Sequence, residues 1–409
     1  MLGQEDESGI AMSPQTKSSG GQCIVCGSTH VDPFVELLQI PVHCNLLWPT
    51  REGALHAPRG DMHIGFCRDC GHVFNLSFRP EMMEYTQAYE NSLHFSPLFQ
   101  AYAESVAARL IERHDLHGKD IIDVGCGKGD FLALLCKRGE NRGVGFDPSY
   151  VPDNMHQASA GRMKIIQDFY SSRYADYKAD LIACRHVLEH IQSPKDFVAN
   201  VRSAIGDRRK TAVFFEVPNV SYTLRDMGIW DLIYEHCSYF GTSSLSHLFI
   251  ECGFDICELS ELYEGQFLGI DVLPNGDQDR TTSRQHDDPA KISPAIDVFA
   301  DKYREKVGVW KKDLERIASE GQRAVVWGGG SKGVMFLNTL RPEVHVMYMV
   351  DINPRKQGMY VAGTGQEIVR PEFLQEYRPD FVIVMNPIYK QEIQQQLDRV
   401  GVPARLIVA

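Results

Sequence analysis

Two thiol pairs, two glycine-rich loops and a glutamate–histidine pair carry the chemistry legible in this chain. Cys23-Ile-Val-Cys26 and Cys67-Arg-Asp-Cys70 are CxxC pairs with 40 residues between them. Each pair puts two thiolates on one tight turn, which is half of the tetrahedron Zn2+ prefers. Gly27 and Gly71 follow the pairs and suit the approach of backbone amides to sulfur. Four thiolates would fill the shell and leave no open position, so the spacing predicts a structural zinc outside the chemistry. His72 then reads as a surface residue or a neighbour of the site, and the lone Cys44 as a small buried apolar group.

Asp120-Ile-Ile-Asp123-Val-Gly125-Cys-Gly127-Lys-Gly129-Asp130 runs as an apolar strand, a DxGxGxG loop and the start of a helix. Glycines let a ligand approach backbone closely, and the helix N-terminus favours polar or anionic groups. The next strand ends at Asp147, about 20 positions on, where a carboxylate can accept two ribose hydroxyls. Asp168 follows, suited to an adenine edge, and a fourth strand ends at Arg185 and His186. Asp123, Gly125, Gly127, Gly129, Asp147, Asp168, Arg185 and His186 are the candidate cofactor residues. The loop departs from the dinucleotide GxGxxG and is similar to the S-adenosylmethionine (SAM) loop of class I methyltransferases. Cys126 inside it reads as a packing residue.

Three segments offer acid–base groups. His186, Glu189 and His190 follow the fourth strand, at the end where doubly wound sheets hold ligands. Tyr234, Glu235 and His236 sit in an aromatic-rich stretch, and Tyr85, Tyr89 and His94 precede the core. A histidine can take a proton near neutral pH, and a neighbouring carboxylate can orient or charge it. Farther on, Gly328-Gly-Gly330-Ser-Lys332-Gly333 follows a strand, and Asp351 closes the next one. By spacing this is a dinucleotide fingerprint, so an NAD(P)-dependent oxidoreductase stands as a rival reading. Lys332 and Lys356 are possible phosphate contacts, and Asn386 and Tyr389 follow a late strand that ends near the same cleft.

The elements that must position these groups alternate. Residues 1–21 are polar and acidic and read as a disordered tail, and 22–79 as the zinc-binding domain. Helical periodicity starts after Pro80, with Phe99, Tyr102, Val106 and Leu110 on one face. Strands and helices alternate from Asp120 to Pro274 as parallel βαβ units within a core of 80–275, 276–290 reads as a linker, and 291–409 as a second α/β unit. The 409 residues carry 42 Lys+Arg against 54 Asp+Glu, a net charge of −12, which argues against a nucleic-acid binder. No apolar run approaches the ~18 residues of a membrane span, and the N-terminus lacks the pattern of a secretory signal. Eleven cysteines, an odd number, suit a reducing cytoplasm and a metal rather than a disulfide framework. Oligomeric state is not legible.

Taken together, CIVC…CRDCGHVF, IIDVGCGKGDFL, IWDLIYEHCSYFG and WGGGSKGVMFLN…VDINPRKQG occur in the order of a known group. From Cys23 to Ala409 the chain resembles the three-domain nucleotide-sugar C-methyltransferases. The resemblance implies an α/β fold: a class I SAM-methyltransferase Rossmann-like core, a small N-terminal zinc-binding domain and a second Rossmann-like domain that helps bind the acceptor. It implies SAM as cofactor and C-methylation next to a ketone of a nucleotide-linked keto sugar or related small molecule. It points to Glu235 and His236 for proton transfer, with Tyr234, His190 and Tyr89 beside them, and to Gly328, Gly330, Lys332, Asn386 and Tyr389 for the acceptor. Two departures leave the acceptor open. The family reads Tyr-His-Glu-His where this chain has Ile233-Tyr234-Glu235-His236, and His-Gly-Gly-Ser where it has Tyr263-Glu264-Gly265-Gln266-Phe267. An O- or N-methyltransferase with the same core is the nearest alternative, and a SAM-binding sensor without turnover a more distant one.

Overall fold

The computed structural model describes residues 21–83, 89–151, 161–276, 288–341 and 345–409. The tail through residue 20, Tyr85 and most of the 276–290 linker lie outside the described residues. The chain opens with β1 (Val31–Pro41), α1 (Arg51–Leu55), β2 (Arg59–Cys67) and β3 (Val73–Asn75). β1 pairs antiparallel with β2, and β2 with β3. Val35 and Leu37 from β1 and Met62, Ile64 and Phe66 from β2 are buried, the alternation of a sheet with one face on a core.

The core begins at α2 (Pro97–His114), where Ser96 Oγ accepts the Phe99 N–H. Among the described residues the helix expected from Pro80 starts at Pro97, and residues 80–82 make a 3-10 turn. The reason lies in Pro97: it suits the first helical turn but would break a helix running through it. Then come β4 (Asp120–Val124), α3 (Asp130–Gly139), β5 (Arg142–Phe146), β6 (Met163–Ile166), β7 (Leu181–Arg185), α4 (Pro194–Ile205), β8 (Ala212–Pro218), α5 (Val220–Arg225), β9 (Ser238–Tyr239), α6 (Thr242–Glu251), β10 (Phe254–Leu262) and β11 (Phe267–Pro274).

Seven of these strands form one sheet in the order β10-β11-β8-β7-β4-β5-β6. β8, β7, β4, β5 and β6 run parallel, and β11 is antiparallel to both neighbours. This is the class I methyltransferase core expected from the sequence. The strand order reverses between β4 and β7, so the crevice at their C-terminal ends is the natural ligand position. β9 leaves this sheet and pairs antiparallel with β3. The N-terminal sheet is thus completed by the core, and His236 lies two residues before that crossing.

The C-terminal unit consists of α7 (Ser293–Ser319), β12 (Ala324–Trp327), α8 (Ser331–Thr339), β13 (Tyr348–Val350), β14 (Glu367–Val369), α9 (Leu374–Tyr377), β15 (Phe381–Val384), α10 (Lys390–Val400) and β16 (Arg405–Val408). Its five strands are all parallel, in the order β14-β13-β12-β15-β16. Phe299, Tyr303, Trp310 and Leu314 line one face of α7 at a helical period. They share a single apolar core with Val35 and Leu37 of β1 and Phe336 of α8. The N-terminal module and the C-terminal unit, far apart in sequence, are therefore packed on each other.

Candidate active site

Cys23 Sγ lies 3.6 Å from Cys70 Sγ, and Cys26 Sγ lies 3.5 Å from Cys67 Sγ. All four sulfurs fall within 4.8 Å of one another. A tetrahedron with Zn–S bonds of about 2.3 Å has sulfur–sulfur edges of about 3.8 Å, so the four thiols fit such an ion. The two turns are built alike: the N–H of Gly27 donates to the Cys23 carbonyl and that of Gly71 to the Cys67 carbonyl, both at 2.9 Å. Both glycines have φ of 76°, a region that favours glycine. His72 corrects the surface expectation. It is fully buried, 5.5 Å from the Phe74 ring and 4.9 Å from that of Phe240, and burial pushes its pKa down to about 3.

The DxGxGxG loop caps the C-terminal end of β4. Gly125 has φ of 69°, and a Cβ there would lie 2.2 Å from Val187 Cγ2, so no other residue fits. Asp147 closes β5 with one oxygen accepting the Gly127 N–H at 2.8 Å and the other accepting from Ser149. Asp123 is buried beneath the loop; burial lifts its pKa to about 7, against the pull of Arg185. Gly129 opens α3 with φ of 86°. Asp168 follows β6, accepts the Tyr174 hydroxyl at 2.5 Å and is paired with Arg173. Phe169 beside it is 66% exposed. Cys126 packs against Gly145, as a packing residue should.

Arg185 and His186 converge on a residue the sequence reading missed. Glu216 on β8 is fully buried and accepts from Arg185 Nη2 at 2.8 Å and from the Tyr102 hydroxyl at 2.5 Å. His186 Nε2 forms an ion pair with it at 2.8 Å. Burial opposes the charge on Glu216, yet Arg185 and His186 win and hold its pKa down to about 2. Burial likewise opposes charge on His186, and Glu189 and Glu216 lift it to about 9. Arg185 also lies over the Phe131 ring at 4.2 Å. The one available signal was a glutamate inside the apolar run AVFFEV, since a charge there must be paired.

Glu189, His190 and His236 meet at the end of β7. One ligand-type atom from each lies within 4.8 Å of the other two. The two imidazole rings are 4.9 Å apart and nearly perpendicular. His190 Nδ1 donates to the Glu235 carbonyl oxygen at 2.9 Å. His236 is held neutral: burial, and then His190, His186 and Lys332, push its pKa well below 6.5.

Two expected partners turn elsewhere. The Glu235 carboxylate does not face His236; Oε2 accepts the Cys44 N–H at 3.0 Å and Oε1 lies 3.7 Å from His43. Adjacent side chains on this turn serve different units, so Glu235 ties the core to the N-terminal module. Tyr234 is fully buried, its ring against Gly60 and its hydroxyl accepting the Arg79 N–H at 3.1 Å. It packs the module and does not reach the histidines' crevice. Tyr89 bridges to Leu46 through backbone, and the next residue, Glu90, is a buried hub missed in sequence. Glu90 accepts from Lys128 of the glycine loop at 2.8 Å, Asn353 at 3.1 Å and Arg355 at 3.3 Å.

The expected acceptor residues of the C-terminal unit dock it onto the rest. Asn386 and Gln266 exchange two amide hydrogen bonds of 2.8 and 2.9 Å. The Tyr263 hydroxyl donates to that of Tyr389 at 2.6 Å. Residues 263–267 are therefore a docking edge, and Phe267 of that edge packs 4.5 Å from His186. Lys332 is paired with Asp231, a contact between units rather than an open phosphate site. At the Gly328–Gly330 turn, Asp351 accepts the Gly329 N–H, Lys356 donates to the Gly329 carbonyl at 2.9 Å, and Asn45 of the N-terminal module donates to Ser331. Side chains of the protein itself cover this loop, which speaks against a dinucleotide there.

Residues 98–259 match the family model described as a methyltransferase domain. Residues 294–408 match that of a C-methyltransferase C-terminal domain. Among curated proteins the chain is similar to the ubiquinone biosynthesis O-methyltransferase of Actinobacillus pleuropneumoniae serotype 7 (strain AP76), 30% identical over 100 residues, covering 22% of this chain and 42% of that protein. It is also similar to that of Pasteurella multocida (strain Pm70), 25% identical over 154 residues, covering 34% and 60%. The chain spans about half the length of these curated relatives. Among solved structures, the dimethyltransferase RosA of Streptomyces davawensis is 18% identical with a TM-score of 0.36, covering 44% of this chain and 55% of that one. The magnesium protoporphyrin IX methyltransferase of Synechocystis is 17% identical with a TM-score of 0.34, covering 43% and 84%.

Proposed function

We propose that this chain, a SAM-dependent methyltransferase whose core is joined to a C-methyltransferase C-terminal domain, methylates a carbon next to a ketone of a small molecule, a nucleotide-linked keto sugar or a close relative. The observation that carries this reading is the half-buried His236, grouped with Glu189 and His190 at the end of β7, in a chain with that C-terminal domain. Carbon acceptors must lose a proton before they attack, and a neutral imidazole in a dry site can take it. Asp147 and the Gly125–Gly129 loop would hold the cofactor, which supplies an electrophilic methyl group on a sulfonium. His236 takes the α-proton, and the electron pair of the broken C–H bond becomes an enolate. That enolate carbon would attack the methyl group of the bound cofactor, which would leave as a neutral thioether. The His186 imidazolium near the same strand end suits the developing enolate oxygen. The four cysteines would hold a structural zinc.

A second reading, O-methylation, has one specific observation behind it: the curated relatives carry that name. The test is turnover of labelled SAM with a panel of nucleoside-diphosphate-linked keto sugars and with phenols, in D2O. Deuterium appearing at the α-carbon of a keto sugar, abolished in His236→Ala while SAM still binds, is the expected result. Methylation of phenols alone would replace the reading with the second one.

A further inference from the structure

We propose that Glu189 is the charge partner of the histidine pair: its carboxylate steadies the imidazolium formed when His236 takes the acceptor's proton, the part that the sequence motif gives to Glu235. This rests on the base reading given above. In that step a neutral imidazole and a neutral ketone become an imidazolium and an enolate, so a fixed negative charge beside the ring favours the product.

Three observations carry the assignment. Glu235 faces away from the pair, with one oxygen on the Cys44 N–H and the other, itself without a hydrogen-bond partner among the described residues, 3.7 Å from His43. Glu189 is 2% exposed, and its Oε2 has no hydrogen-bond partner among the described residues. A buried carboxylate oxygen left unpaired is costly; the histidines grouped with it are His190 and His236, all three residues presenting atoms within 4.8 Å, while His186 lies against the other oxygen. His236 Nδ1 is likewise buried without a partner, so an N–H there, donated to Glu189, would satisfy both atoms and leave Nε2 to take the acceptor's proton.

The groups facing Glu189 are few. His186 Nδ1 lies 3.8 Å from Oε1, with Glu216 on its other side. Cys184 feels its charge, and the Cys237 thiol donates to its backbone carbonyl. Lys332 acts on His236 from the C-terminal unit, and His190 and His186 from the core, and all three oppose its protonation. Glu189 is the acidic side chain grouped with the pair. It is therefore a positioning residue for the base, placed by the turn after β7.

The experiment is a pH titration of 15N-histidine-labelled full chain saturated with S-adenosylhomocysteine, followed by NMR and assigned with His236→Asn. His236 should protonate about one to three pH units lower in Glu189→Gln than in the wild type. Glu189→Asp should recover part of the difference, and Glu235→Gln should leave it unchanged. On any keto sugar the wild type methylates, Glu189→Gln should lower kcat at least tenfold with KM within twofold and shift the acid limb of the pH profile. No measurable difference in His236 protonation between wild type and Glu189→Gln overturns the proposal. So does a second tightly bound metal per chain, beyond one at the cysteines, that Glu189→Gln removes, because the three residues would then be its ligands. The NMR arm needs no acceptor, so it stands even if no ketone is methylated.

Discussion

Glu216→Gln tests how the strand ends are held. Glu216 is fully buried and binds two cations and a phenol. Two unit charges 2.8 Å apart at an effective dielectric of 20 attract by about 6 kcal/mol, and a glutamine would keep one acceptor worth about 1–2 kcal/mol. Desolvation of the remaining cations sets the net loss near the 3–5 kcal/mol expected when one partner of a buried pair is removed. The depressed pKa supports this size: a fall from 4.5 to about 2 corresponds to about 3 kcal/mol. The sign follows from the depression. The contribution is present above pH 4.5 and is lost as pH falls through about 2. The assay is urea unfolding of wild type and variant from pH 3 to 9. The variant should lose about 3 kcal/mol near pH 6 at unchanged m-value, with a flatter acid limb. It should also lose part of the alkaline limb of His186, whose raised pKa stabilises the wild type below pH 6.5 and ceases to do so as pH rises through about 9, the remainder being held by Glu189. A loss under 1 kcal/mol near pH 6 would refute the argument that this carboxylate is paired and dry.

Two further outcomes can be checked on the same protein. Cys67→Ser should release one zinc equivalent, measured by elemental analysis, and lower the thermal midpoint, since a structural metal contributes its binding energy to folding; a metal-free wild type would remove the site. A double-mutant cycle on Gln266→Ala and Asn386→Ala should give a coupling energy of about 1 kcal/mol, because the two amides bond only each other across the units; strict additivity would separate the docking edge from these bonds.

Much of this architecture was legible in order and type. The CxxC pairs announce their own geometry, because two thiolates on one turn need only a second such turn to close a shell. The apolar strand, the glycines at Gly125, Gly127 and Gly129, and Asp147 about 20 residues on repeat local rules of backbone and strand ends. The sequence also named the three residues that meet at the end of β7. It did not reveal their pairing. Glu235 and His236 are neighbours in the chain, yet consecutive side chains diverge, and only the crossing of β9 onto β3 decides that Glu235 serves Cys44 while His236 serves the crevice. Glu216, Glu90 and Gln266 carried no motif because their partners lie on other elements: 31 residues back at Arg185, 263 ahead at Asn353 and 120 ahead at Asn386. Chemistry that depends on neighbours along the chain was written in the sequence; a buried charge acquires its meaning from whichever partner folding brings against it, and that was decided by the tertiary structure alone.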